Sequence, residues 1–266
     1  MDTKLGFRKE LFRNTLNLEV PLEVRLRLSK NIFSGKKAFI FAAGPSLSLV
    51  DIQKLSPLLN ENLVICIKQS VNVIQNMSDL LLMNFCNFSG YNWSEIRSPV
   101  IWTSFDKGHN EIIKERQLKC NALLPVIENA KNNLEGLSTS TAGKECWGNF
   151  QRLLDGKAVW GPGLMYELAI PFALHSGVEH ICLVGWDIGT LSKHEEKAFL
   201  NEHFYKNDNV EMKTKITNQE IDIVAKSTGS LKRWLAEQGI DLSIISDRSL
   251  VDSSIRREDQ WLKKEV

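Results

Sequence analysis

The chain has 266 residues, 43% of them hydrophobic and 24% charged, with 33 Lys and Arg against 32 Asp and Glu. That is the make-up of a folded chain long enough to bury a full core, as one large α/β domain or a core domain with a lid. The formal net charge of +1 argues against a general nucleic-acid binder, which carries a clear basic excess, and the apolar content argues against a disordered chain.

Residues 1–35 stand apart as an N-terminal helical arm. Basic residues outnumber acidic ones there, and Leu5, Phe7, Leu11, Phe12, Leu16, Leu22, Val24, Leu26 and Leu28 are spaced among them. Two short helices broken near Pro21 fit that pattern. One reading packs the arm on the rest of the domain; the other makes it a surface that touches anionic membrane lipid. The first ten residues lack the apolar core of a signal peptide. The longest uncharged stretches, residues 38–50 and 80–94, fall short of the ~18 residues a membrane span needs.

Residues 37–43 (KAFIFAA) form an apolar run typical of a buried parallel strand, which Gly44-Pro45-Ser46 breaks. A short helix is expected from Asp51 to Leu59. Further buried strands are expected at residues 63–67, 80–85 and 100–104. Residues 106–157 are weakly patterned and read only as helices and loops. Ala158 to Trp160 enters the turn Gly161-Pro162-Gly163, which opens a buried helix closed by Gly177. Residues 178–184 are a strand ending at Gly185-Trp186-Asp187. Residues 190–218 are polar and charged, as suits a lid. An amphipathic helix over 220–238 and a last strand over 241–245 lead to Ser246-Asp247-Arg248-Ser249.

Apolar strands alternating with helices predict an α/β fold, a mostly parallel sheet with helices on both faces. Ligands of such sheets bind at the carboxyl ends of the strands, near the point where strand order reverses. The candidate residues are therefore those that follow each strand: Gly44, Pro45, Ser46, Lys68, Gln69, Asn84, Asn87, Gly161, Pro162, Gly163, Gly185, Asp187, Ser246 and Ser249. Gly44 allows close backbone approach to a ligand, or is a plain turn. The Gly161–Gly163 turn makes an anion site at a helix start, or a tight connection. Lys68 pairs with a phosphate or is solvated. Asp187 orients a hydroxyl or caps a turn.

His203 lies in the polar lid and titrates near neutral pH, as a general base for a hydroxyl or as an idle surface residue. Nothing beside His109 or His194 suggests a role, and His175 and His180, flanking Gly177, are expected to face solvent. The five cysteines include no C-x-x-C pair, so Cys66 and Cys182 read as buried thiols of a cytoplasmic protein. The sequence has neither dinucleotide nor P-loop glycine fingerprint, no H-E-x-x-H and no G-x-S-x-G elbow.

The segments FIFAAGPSLS (39–48), WGPGLMYELAIPFALHSGVEHICLVGWDIG (160–189), EHFYKNDN (202–209) and WLAEQGIDLSIISDRSL (234–250) occur in an order that resembles the bacterial CMP-sugar-dependent glycosyltransferases. These are the sialyltransferases, the lipopolysaccharide-core Kdo transferases of the WaaZ type, and the related motility-accessory and MptE-like proteins. The resemblance implies a Rossmann-like glycosyltransferase domain over 36–266 with a lid at about 190–218. Its donor would be a CMP-activated acidic sugar, Kdo or a nonulosonic (sialic) acid. The acceptor would be a saccharide, in lipopolysaccharide or another cell-surface glycan. By this resemblance Gly44, Pro45 and Ser46 approach the nucleotide, Asn84 contacts the donor, Gly161, Pro162 and Gly163 sit against cytidine and phosphate, and Asp187, Gly185 and Ser249 complete the site. Lys68 or Gln69 stands where the sialyltransferases have an Asn, and Ala43 where they have another. His203 would be the base, with Tyr205 beside it in the lid; a Lys or Tyr would stabilise the departing phosphate. No DxD motif is present, so no metal and no cofactor beyond the donor are expected. The arm would give peripheral contact with the inner membrane; no nucleic acid is expected. Two rival readings are an MptE-like pterin pyrophosphokinase, requiring Mg²⁺ on clustered carboxylates, and a non-catalytic nucleotide-binding relative.

Overall fold

Chain segments buried on both faces of a sheet must be largely apolar, and six such segments form its interior. The computed structural model describes residues 3–84, 91–104, 109–126, 149–155, 157–159, 163–188 and 218–263. Eight strands are present: β1 (Lys37–Phe41), β2 (Leu63–Ile67), β3 (Leu80–Asn84), β4 (Val100–Ser104), β5 (Ala122–Pro125), β6 (His180–Val184), β7 (Asp241–Ile245) and β8 (Arg256–Arg257). They form one sheet in the order β5-β4-β3-β2-β1-β6-β7-β8, and every pairing is parallel. The chain steps outward from β1 to β5 on one side, then crosses to β6 on the other. The order therefore reverses between β1 and β6, where Ile40 pairs with Leu183.

Alternation along each strand divides the core into two layers. Ile40, Ile65, Leu82, Ile101 and Leu183 face one way, against α1 (Thr3–Asn17), α2 (Leu22–Ser29) and the helical segment from Met165 to His175. Phe41, Cys66, Met83, Trp102 and Val184 face the other, against α3 (Ile52–Glu61), α4 (Val71–Ile74) and α5 (His109–Glu115). The remaining α-helices among the described residues are α6 (Asn149–Leu154), α7 (Ile170–His175) and α8 (Asn218–Glu237). Asp51 caps α3, its carboxylate accepting from Lys54 N at 3.0 Å.

Before α7 the helix opens into a π-turn, Met165–Ala169, with Ile170 N bonded to Met165 O. Pro171 accounts for the opening. It has no N–H for the carbonyl of Glu167, four residues back, and its ring crowds that carbonyl. The uninterrupted helix predicted after Gly163 is corrected accordingly.

Two strands escape the sequence reading. Residues 106–157 hold β5, and β8 is a pair of exposed arginines. Both are short edge strands: β5 is a four-residue run, Ala-Leu-Leu-Pro, inside a weakly patterned stretch, and β8 carries no apolar residue. His175 and His180 are also corrected: both are buried rather than solvent-facing. His175 Nε2 lies 2.5 Å from Leu26 O, and His180 Nε2 lies 2.7 Å from Ser243 Oγ. Cys66 and Cys182 are fully buried thiols, pushed up to about 12 by loss of solvent.

The N-terminal arm is part of the main core: Phe12, Leu16, Leu26 and Phe33 are buried in its first layer. Much of its positive charge is spent inside the protein. Asp79, fully buried just before β3, takes Lys9 Nζ at 2.5 Å and Arg13 Nη2 at 2.8 Å. It also accepts Val64 N at 2.9 Å. Lys9 donates further to the carbonyls of Leu59 and Asn62, and Arg25 donates to those of Leu16 and Asn121. Left on the surface of α1, α2 and their connection are Phe7, Leu11, Leu18, Val20, Val24 and Leu28. No helix among the described residues is long and apolar enough to cross a membrane.

Removing one partner of a buried charge cluster strands the other. Asp79→Ala is expected to cost about 3–5 kcal/mol in urea denaturation; a loss near zero would show that α1 is held by apolar packing alone.

Candidate functional site

Two groups of polar side chains flank the end of β1, on the carboxyl edge of the sheet. The first joins β1, β6 and β7. Gly44 N donates to Gly185 O at 2.9 Å. Ser46 N donates to Asp187 Oδ2 at 2.7 Å, and the Ser46 hydroxyl lies 2.8 Å from Asp187 Oδ1 and against Asp247 Oδ1. Ser246 donates its hydroxyl to Asp187 Oδ1 at 2.5 Å. Ser249 donates to Trp186 O at 2.7 Å and accepts from Ile188 N at 3.2 Å. Arg257 clamps the same loop through the carbonyls of Ser246 and Ser249.

Gly44, Pro45, Ser46, Gly185, Asp187 and Ser249 are thus brought together, but their polar groups are turned on one another. The close approach that Gly44 permits is to the β6 loop: a Cβ there would lie 2.5 Å from both Asp187 Oδ2 and Gly185 O. Gly185 sits at φ +63°, where a Cβ would also meet Leu47. Both Asp187 oxygens accept from serines, so this carboxylate positions three loops. Burial pushes the Asp247 carboxyl up, but Arg248 and the Ser46 hydroxyl outweigh it and hold the group below its ordinary value.

The second group lies on the other side of β1, at the ends of β2, β3 and β4. Lys68 leaves β2 at φ +53°, an uncommon conformation for a side-chain-bearing residue. Ser70 Oγ bonds the carbonyls of Phe41 and Ile67 and so ties this turn to β1. Gln69 is 1% exposed, and neither Oε1 nor Nε2 has a hydrogen-bond partner. The Oδ1 atom of Asn84 is likewise buried and unpartnered. Asn84 pairs in register with Thr103. Both follow the alternation that faces the layer containing the π-turn.

From that turn Glu167 bonds the Thr103 side chain. Glu167 is 7% exposed. Burial pushes its carboxyl up to about 7, against the opposing pull of Thr103 and Lys68. Glu167 is thus neutral in mildly acidic solution. Its contribution to stability is lost as pH rises through about 7, because ionisation must then occur out of water. Gly163, at φ +143°, starts the turn, and its carbonyl accepts from Tyr166 N and Glu167 N. Beside Thr103, Ser104 Oγ lies 2.5 Å from His109 Nδ1, which gives that histidine a partner the sequence did not suggest.

Lys68, Asn84 and Gly163 therefore belong to this second group. Gly161, Pro162, Asn87, His203, Tyr205 and residues 190–217 of the lid lie outside the described residues. The sequence reading missed Glu167 and Thr103 and left Gln69 as one of two alternatives. Glu167 carried a signal: it is the one Asp, Glu, Lys or Arg between Ala158 and Val178. Among the described residues no group of three or more His, Cys, Asp or Glu is placed to hold a metal ion.

No family model matches the chain, and no curated protein matches it. Among solved structures it is similar to the sialyltransferase CstII from Campylobacter jejuni in complex with the substrate analogue cytidine-5'-monophosphate. The TM-score is 0.46 at 14% identity, over 88% of this chain and 89% of that one. The same enzyme with a trisaccharide acceptor and CMP gives 0.43 at 13%, over 87% and 89%. A MAf glycosyltransferase from Magnetospirillum magneticum AMB-1 gives 0.42 at 13%, over 98% of this chain and 39% of that one.

Gly44→Ala forces a methyl against the β6 loop and parts Ser46 from Asp187. It is expected to lower stability by about 1–3 kcal/mol, read by thermal denaturation; an unchanged Tm would show that the loops separate freely.

Proposed function

We propose that the chain is a glycosyltransferase moving an acidic sugar, of Kdo or nonulosonic type, from a CMP-activated donor to a saccharide acceptor. Lipopolysaccharide or another cell-surface glycan is the proposed acceptor. One observation carries the reading. Gln69 and Asn84 hold buried amide atoms with no partner at the carboxyl edge of a parallel sheet, after β2 and at the end of β3, on one side of the reversal of strand order. Each such atom costs about 1–3 kcal/mol unless something bonds it. A ligand rich in donors and acceptors, such as a nucleotide, supplies the bonds. The ordered motifs of the sequence support the same class.

In this reading the acceptor oxygen forms a bond to the anomeric carbon as the bond from that carbon to the phosphate oxygen breaks. CMP departs with the electron pair. The acceptor's proton goes to His203, the proposed base. Lys68, which makes no ion pair among the described residues, and Tyr205 are the proposed partners of the departing phosphate. Asp187 acts at one remove, by holding the loops after β1 and β7. The donor carries a single phosphate, and no metal is proposed.

The peripheral membrane contact proposed for residues 1–35 would rest on apolar side chains, since Lys9, Arg13 and Arg25 are engaged internally. Phe7 and Leu11, one turn apart on α1, are 63% and 41% exposed.

CMP is expected to raise the Tm without Mg²⁺, by about 2.7 kcal/mol of added stability at a hundredfold excess over Kd, and chelator is expected to leave transfer unchanged. A shift seen only with ATP and Mg²⁺ would overturn this in favour of a pyrophosphokinase. Binding to anionic vesicles is expected to survive high salt and to be lost in Phe7→Ser/Leu11→Ser; salt-labile binding would mean that basic residues carry it.

A further inference from the structure

The carboxyl of Glu167 has no part in the transfer step. It is carried by a helical segment that supplies core residues on either side, Tyr166 and Leu168. A leucine there would join the layer without desolvating a carboxyl. Instead the π-turn widens at this position, a feature that recurs at functional sites. The turn brings Glu167 to Thr103, which is paired with Asn84.

We propose that Glu167 is a specificity-determining residue of this site, which together with Gln69 and Asn84 pairs the amino-bearing edge of the donor's nucleobase. The inference rests on the nucleotide-donor reading above and deepens it.

The atoms awaiting partners define the edge they fit. Gln69 Oε1 and Asn84 Oδ1 are acceptors, and Gln69 Nε2 is a donor. Two acceptors without partners suit an exocyclic amino group, which has two hydrogens to give. Cytosine offers that group at C4 beside the acceptor N3. Uracil instead presents a carbonyl at C4 and an N–H at position 3. A neutral Glu167 adds a hydroxyl donor suited to N3 of cytosine. Ionised Glu167 loses the donor and sets negative charge against N3, while its oxygens suit the N3–H of uracil.

Ionisation of Glu167, which burial has moved to about 7, therefore weakens cytosine and favours uracil as pH rises. Lys68 faces it from the end of β2, and Tyr166, its own neighbour on the turn, is tied to Ser227. His109, at the end of β4, is held by the Ser104 hydroxyl.

The test measures Kd for CMP and UMP by calorimetry on the full chain at several pH values between 6 and 8. The two nucleotides share one phosphate, so the ratio of their affinities cancels its titration. The wild type is expected to prefer CMP, with the preference falling about tenfold across the range. Glu167→Gln keeps a fixed donor and is expected to hold the preference at every pH. Glu167→Leu, with folding checked by Tm, is expected to lose at least tenfold of it, about 1.4 kcal/mol. CMP binding with the same ratio and pH profile in all three proteins would overturn the role of Glu167 and leave the donor reading standing. A pH dependence that persists in Glu167→Gln would assign it to another group and overturn the proposal likewise. Failure of the wild type to bind CMP at any pH would overturn the donor reading, and this inference with it.

Discussion

The carboxylate of Asp187 is the constraint on which the carboxyl edge of the sheet depends. It holds the backbone and hydroxyl of Ser46 and the hydroxyl of Ser246, so the ends of β1, β6 and β7 meet around one charged group. The meeting is close enough that Gly44 admits no side chain. Hydrogen bonds to an ionised acceptor are stronger than neutral ones, and here three of them join chain segments far apart in sequence. With these loops held, the half of the edge beyond β1 is supported from one side by a rigid wall.

That division gives the two halves different physical characters. The β1/β6/β7 half is satisfied internally. The β2/β3/β4 half retains unpartnered amides on Gln69 and Asn84 and a carboxyl whose charge is suppressed by burial. Groups that satisfy one another build walls, whereas groups left waiting together at the carboxyl edge of the sheet mark where something else is bound. At the opposite, amino-terminal edge, buried Asp79 secures α1 through Lys9 and Arg13. The arm thereby joins the core, and its outer surface is left more apolar than its composition implies.

The central strands were legible because burial on both faces demands apolar residues, as in Leu63–Ile67 and Ile181–Val184. The edge strands β5 and β8 were not: β5 is only four residues long within a weakly patterned stretch, and β8, with water on one side, is two arginines. His175 and His180 misled for a related reason: a histidine can be buried when a carbonyl or hydroxyl meets its ring nitrogen, and that partner is distant in sequence. The strand-end rule located Gly44, Ser46, Lys68, Asn84, Asp187 and Ser249 without error of place. It could not distinguish a residue that faces a ligand from one that faces its neighbours.

Apolar runs, glycine turns and the alternation of strands with helices depend on local periodicity, so the sequence by itself determined an α/β chain with a parallel sheet and the positions of most strand ends. What Asp187 bonds, where the arm's charges go and how strongly Glu167 resists ionisation depend on distances between segments remote in the chain and on the exclusion of water. Only the tertiary structure decided them, because burial and pairing are properties of the assembled layers and of no single stretch of residues.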